Sequence, residues 1–248
     1  RRVLFRSIHI PKTGGTFIGQ LESGGIPVLR PMEYLGHCYM IDSPGETNPL
    51  YPGDPLGRQT VFPYREKNKQ VLFSNIRNPF DFLVSYAGHA GGWNPRYRAT
   101  SHYDYENIAR GFDYLVKTIA NRDNHLWPNR KFLYFQLFTS GGSLAVDWLN
   151  RVETMHEDLT EFAKETGAVY TPRPKQRVGI RGDYRTYYTD SLIELVEQTW
   201  GRELKLYGYS FDGVNLDQAV LKRKIELDTK TSVRYDLKRD LLTIGGQI

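Results

Sequence analysis

The chain has 248 residues, enough for one α/β domain with a substantial core, and its 40% apolar and 25% charged residues are an ordinary globular balance. Lys and Arg (33) exceed Asp and Glu (28), and the resulting net charge of +5 suits an anionic ligand, but no dense basic run with interleaved aromatics points to nucleic acid. A single cysteine, Cys38, excludes an intramolecular disulfide framework and fits a reducing compartment. No apolar run approaches the ~18–20 residues of a membrane span, and with Arg1-Arg2 leading straight into the first strand the expectation is that there is no signal peptide. The expectation is a single cytoplasmic domain over residues 1–248, with no membrane and no nucleic-acid partner.

The first element is an apolar run from Val3 to Ile10, read as a buried parallel strand. Pro11 stops it, Gly14-Gly15 turns the chain, and a helix-compatible segment runs from Thr16 to about Glu22. A short extended piece, Ile26–Leu29, precedes a compact apolar segment from Glu33 to Asp42 around His37. Residues 43–68 are rich in Pro, Gly, Asp and Asn and read as an irregular excursion, either a binding wall or a passive insertion. Gln70–Ile76 is the second clear strand. Asn78 is placed to cap the following helix, with Pro79 at its first position, and the helix runs to about His89. Residues 91–105 are aromatic and polar, and a helix follows from about Tyr105 to Ile119. Lys131–Gln136 reads as a third strand. Further helices are expected at about Gly142–Leu149, Met155–Glu165 and Ser191–Trp200, and residues 214–248 show no strong periodicity.

Strands alternating with helices predict a parallel sheet covered on both faces, in which ligands bind at the carboxyl ends of the strands. Two motifs fall there. The segment Pro11-Lys12-Thr13-Gly14-Gly15-Thr16-Phe17 combines a strand end, a glycine turn and a helix start, the ingredients of an anion cradle. Lys12 adds a full charge, and the Thr13 and Thr16 hydroxyls add donors. This is not the Walker arrangement, which puts its lysine after the glycines. The second motif is Arg77-Asn78-Pro79 with Ser85 two helical turns on, where Arg offers a planar fork and Ser a hydroxyl.

Pro-Lys-Thr-Gly-Gly-Thr resembles the 5′-phosphosulfate loop of sulfotransferases that use 3′-phosphoadenosine 5′-phosphosulfate (PAPS). Ile76-Arg77-Asn78-Pro79 with Val84-Ser85-Tyr86 resembles the 3′-phosphate motif of that family, and Arg181-Gly182-Asp183-Tyr184-Arg185 resembles its C-terminal 3′-phosphate segment. The resemblance implies a P-loop-like three-layer fold, a central parallel sheet flanked by helices, with PAPS as donor and 3′-phosphoadenosine 5′-phosphate (PAP) as product. It assigns the 5′ end to Lys12, Thr13, Gly14, Gly15, Thr16 and Phe17, and the 3′-phosphate to Arg77, Ser85, Arg181 and Gly182. Lys12 would also meet the charge that builds on the bridging oxygen during transfer.

Sulfuryl transfer needs a group to take the acceptor's proton, and histidine is suited to that near neutral pH. Of His9, His37, His89, His102, His125 and His156, the choice falls on His37. Gly36-His37 with Asp42 beyond it resembles the Gly-His-x-x-x-x-Asp segment of uronyl 2-O-sulfotransferases, where that histidine is the base. Glu33 and Asp42 stand as carboxylate alternatives. Glu33, Trp93, Tyr97 and Tyr103 are candidate contacts to a small-molecule or carbohydrate acceptor, with Asp104 or Glu106 available to a cationic one. No metal-ligand motif is evident, and none is expected. A P-loop-type kinase and a non-catalytic nucleotide-binding module are the competing readings.

Overall fold

A computed structural model describes residues 4–8, 10, 13–14, 32–34, 38–41, 60–63, 70–90, 111–121, 133–134, 137–139, 141–167, 170–172, 182–225, 232–236 and 241–245. The architecture is mixed α/β, with a parallel sheet and flanking helices. The chain divides into two compact units, one of Arg1–Ile76, Tyr134–Gln176 and Leu221–Ile248, the other of Arg77–Leu133 and Arg177–Val220.

The first unit holds strands β1 (Leu4–Ile8), β2 (Met32–Tyr34), β3 (Cys38–Ile41), β4 (Thr60–Pro63), β5 (Gln70–Ile76) and β6 (Trp148–Arg151). β1, β5 and β6 lie side by side, and β2 joins the outer edge of β1, giving the parallel order β2-β1-β5-β6. Leu72, Phe73, Ser74, Asn75 and Ile76 are all buried, as a strand covered on both faces requires. Polar residues inside this sheet are paired: Ser74 Oγ donates to Ile8 O at 2.7 Å, and Asn150 Nδ2 donates to Asn75 Oδ1 at 3.0 Å. Helix α3 (Met155–Thr166) packs beside β6, placing Phe162 5.4 Å from Phe73 and 5.3 Å from Trp148 between ring centroids.

Several expectations are corrected here. Gly142–Leu149 is no helix: residues 141–147 form turns and bridges, and Trp148 begins β6. Asp147 drives the change, because its N–H donates to Leu72 O at 2.7 Å and its Oδ2 accepts from Leu72 N at 3.0 Å. An apolar run buried on every side has no period from which helix and strand can be told apart. Leu133 and Tyr134 sit in a turn rather than a strand, and Tyr134 O accepts from Leu137 N at 3.0 Å. Residues 43–68 are not wholly irregular, since β4 lies within them and pairs in parallel with β3. The final segment forms a hairpin of β9 (Val233–Asp236) and β10 (Leu241–Ile244).

The second unit contains α1 (Pro79–Ala90), α2 (Phe112–Asn121), a 3-10 turn (Tyr184–Tyr187), α4 (Asp190–Tyr207) and the short hairpin β7 (Tyr209–Ser210) and β8 (Gly213–Val214). The expected cap at α1 forms: Asn78 Oδ1 accepts from Phe80 N at 3.1 Å, with Pro79 at the first helical position. α4 outruns its expected end at Trp200. Trp200 adopts φ −119° and ψ 17°, a kink rather than a stop, and Leu204, Leu206 and Tyr207 continue the buried face. Gly208 ends the helix at φ 72°, where a Cβ would stand 2.3 Å from Asn215 O, so only glycine fits.

Candidate functional site

In the first unit, β1 delivers the chain to the candidate anion loop. Ile8, Ile10 and Thr13 are buried. Thr13 N and Oγ1 both donate to Ile10 O, at 3.4 and 2.8 Å, and close the turn. The hydroxyl read from sequence as a donor to an anion is therefore turned inward, where it shapes the loop. Gly14 follows at φ 82°, left-handed backbone that side chains other than glycine rarely adopt. A Cβ there would stand 3.2 Å from Met155 Cε and 3.8 Å from Val152 Cγ2. The turn from β6 into α3 thus lies against the loop.

That turn is held at both ends. Val152 N donates to Ile76 O at 2.9 Å, at the carboxyl end of β5. The fully buried carboxylate of Asp158 accepts from Arg151 N at 2.6 Å and from Thr154 Oγ1 at 3.0 Å, and pairs with Arg223. Arg223 also reaches Glu161 at 2.7 Å. Burial pushes the Asp158 carboxyl above its ordinary value, against the pull of the Arg151 N–H and of Arg223. His156 Nδ1 lies 2.5 Å from Tyr170 OH, and burial raises that phenol to about 12, so it stays neutral.

In the second unit, α1 presents one partly accessible stripe. Asp81, Ser85 and Gly88 are half-buried, as is Arg77 two residues before the helix, whereas Phe80, Phe82, Leu83, Val84, Tyr86 and Ala87 are buried. The stripe follows the spacing of one helical face. Arg77 Nε donates to Asp81 Oδ2 at 2.5 Å, which fixes the guanidinium by its Nε edge. Asp81 was readable from its position four residues after Arg77 but was not singled out in the sequence.

The segment after Gly182 packs beside the start of this helix. Tyr188 OH donates to Phe80 O at 2.9 Å, and the Phe80, Tyr188 and Phe211 rings meet edge-on at 5.1–5.6 Å. Asp183 caps the 3-10 turn through Arg185 N at 3.0 Å and pairs with Arg185 Nη1 at 3.1 Å. Arg185 Nη2 donates to Asp212 O at 2.5 Å. Two segments that the sequence assigned to one phosphate, 77–85 and 182–185, are therefore neighbours in this unit. Asn78 ties the same region to the β7–β8 hairpin, its Nδ2 donating to Ser210 O at 2.8 Å and, more weakly, to Gly213 O at 3.4 Å.

Asn78→Ala is expected to lower stability by about 1.5–2.5 kcal/mol, about 1 from the lost cap and the rest from the lost hydrogen bond to the Ser210 carbonyl. Asn78→Ser should recover about 1 kcal/mol by restoring the cap alone. Urea denaturation of the three proteins checks both figures.

Lys12, Gly15, Thr16, Phe17, His37, Trp93, Tyr97, Tyr103 and Arg181 lie outside the described residues, as do Asp42, Asp104 and Glu106. The backbone of Glu33 lies in β2, in register with Arg6. Among the described residues, no three His, Cys, Asp or Glu side chains are grouped to hold a metal ion, and no helix is long and apolar enough to cross a membrane. No protein-family model and no curated protein matches this chain.

Proposed function

We propose that the chain is a PAPS-dependent sulfotransferase with a P-loop-like three-layer fold. The observation that carries this reading is the end of β1: a parallel strand passes through a buried threonine into a left-handed glycine, within Pro-Lys-Thr-Gly-Gly-Thr. Further support comes from the start of α1, where half-buried Arg77 precedes the helix and half-buried Ser85 lies on it, with the Gly182 segment beside that start.

On this reading Lys12, Gly14, Gly15, Thr16, Phe17 and the Thr13-closed turn take the 5′-phosphosulfate, while Arg77, Ser85, Arg181 and Gly182 take the 3′-phosphate. An acceptor hydroxyl or amine attacks sulfur in line. The bond from sulfur to the bridging oxygen breaks, and PAP leaves with that electron pair. His37 takes the acceptor's proton, and Lys12 neutralises the leaving oxygen. The acceptor is a small molecule or carbohydrate lined by Glu33, Trp93, Tyr97 and Tyr103, and the setting is cytoplasmic.

Calorimetric titration with PAP beside magnesium-ATP tests the donor. Micromolar PAP binding with weak ATP binding is the expected result. Preference for magnesium-ATP overturns the reading in favour of a kinase, and binding of neither favours a non-catalytic module.

A further inference from the structure

We infer that the turn joining β6 to α3 positions the candidate anion loop, with Asp158 closing the turn and Met155 bearing on Gly14. The inference rests on the sulfotransferase reading only for what the loop binds.

The path is continuous within the first unit. Asp158 spans from the first turn of α3 back to Arg151 N at 2.6 Å and Thr154 Oγ1 at 3.0 Å, so the intervening residues are bracketed by one buried carboxylate. The Thr154 side chain does not cap α3, which leaves Asp158 as the side chain that joins the helix start to the strand end. Arg223 holds the carboxylate from the other side and is itself held by Glu161. Within the bracket, Val152 N is anchored on Ile76 O at 2.9 Å. Val152 and Met155 are then the side chains that a Cβ on Gly14 would meet.

A loop that cradles an anion with backbone N–H groups works only if those groups are already aimed, since aiming them on binding costs affinity. Thr13 closes the loop from within, and the turn braces it from outside. Asp158 acts through Arg151 and Thr154 rather than on a ligand, so it is a positioning residue.

The test uses Met155→Ala, Met155→Leu and Asp158→Asn in the full chain, with two readouts. Amide exchange of the peptide containing Thr13 and Gly14 needs no ligand, and Met155→Ala and Asp158→Asn are expected to speed it about tenfold. In calorimetry both should bind PAP at least about fivefold more weakly yet keep adenosine 3′-phosphate affinity within about twofold, and Met155→Leu should restore both readouts. That split separates positioning from general destabilisation, which would weaken both ligands alike. Unchanged exchange and PAP affinity in folded Met155→Ala would overturn the inference, whether or not Asp158→Asn folds. If the wild-type chain bound no PAP, the sulfotransferase reading would fall, while the exchange rates would still decide whether the turn braces the loop.

Discussion

If the chain is the proposed sulfotransferase, Lys12→Ala is expected to cut the transfer rate by about a hundred- to a thousandfold while weakening PAP binding far less, because on that reading its ammonium acts mainly on charge that develops during transfer. In PAPS the bridging oxygen shares its electrons with sulfur; in the transition state that bond is breaking and negative charge builds on the oxygen. A fixed cation beside it therefore favours the transition state over the ground state. Arg77→Ala should show the opposite balance, because a guanidinium on the 3′-phosphate serves ground state and transition state equally. Its loss should weaken PAP by about 1.5–3 kcal/mol, the range for a charge-assisted hydrogen bond. Asp81 sharpens the contrast: without Arg77, its half-buried carboxylate loses the guanidinium held at 2.5 Å. Steady-state rates with titrated PAP separate the two variants. Wild-type rates in both would remove the donor site from these residues.

How far the fold was legible follows from where its signals are local. β1, β5 and α1 were readable because a buried strand, a cap and a proline at the first helical turn each lie within a few residues. Met155–Thr166 was readable for the same reason, with Gly167 at φ 69° closing it. β6 was not. Its identity depends on pairing with β5 across the chain, Phe73 to Trp148 through Ile76 to Arg151, and the apolar residues before it mimic a helix. β4 was hidden among prolines and glycines, and its pairing with Cys38–Ile41 is likewise long-range. At Trp200-Gly201 the chain bends without stopping, because the face beyond it, through Leu204 and Tyr207, stays buried.

The site divides along the same line. Thr13 and Gly14 were legible as a turn at a strand end, but the inward hydrogen bond of the Thr13 hydroxyl was not, since both uses satisfy the same residue type. The Arg77–Asp81 pair was within reach of simple helical spacing. The brace on Gly14 was beyond it: Val152 and Met155 meet that glycine only once β6 has found its place in the sheet.

His37→Ala should leave PAP affinity unchanged and lower transfer by about 10²–10⁴-fold, the span usual for a general base. The reasoning is that the acceptor's proton must leave as its oxygen or nitrogen bonds to sulfur, and on the proposed reading that base serves the acceptor rather than the nucleotide. The rate in the wild type should then rise with pH through the imidazole's titration and level off once it is neutral, because only the neutral ring accepts a proton. In His37→Ala that rise should vanish. A rate that survives the substitution but still climbs with pH would transfer the role to another histidine, and a climb centred near the carboxylate range would transfer it to Glu33 or Asp42. His156 is the informative control. Its Nδ1 is engaged by Tyr170, so His156→Gln should disturb that pairing and leave the pH profile of transfer where it was.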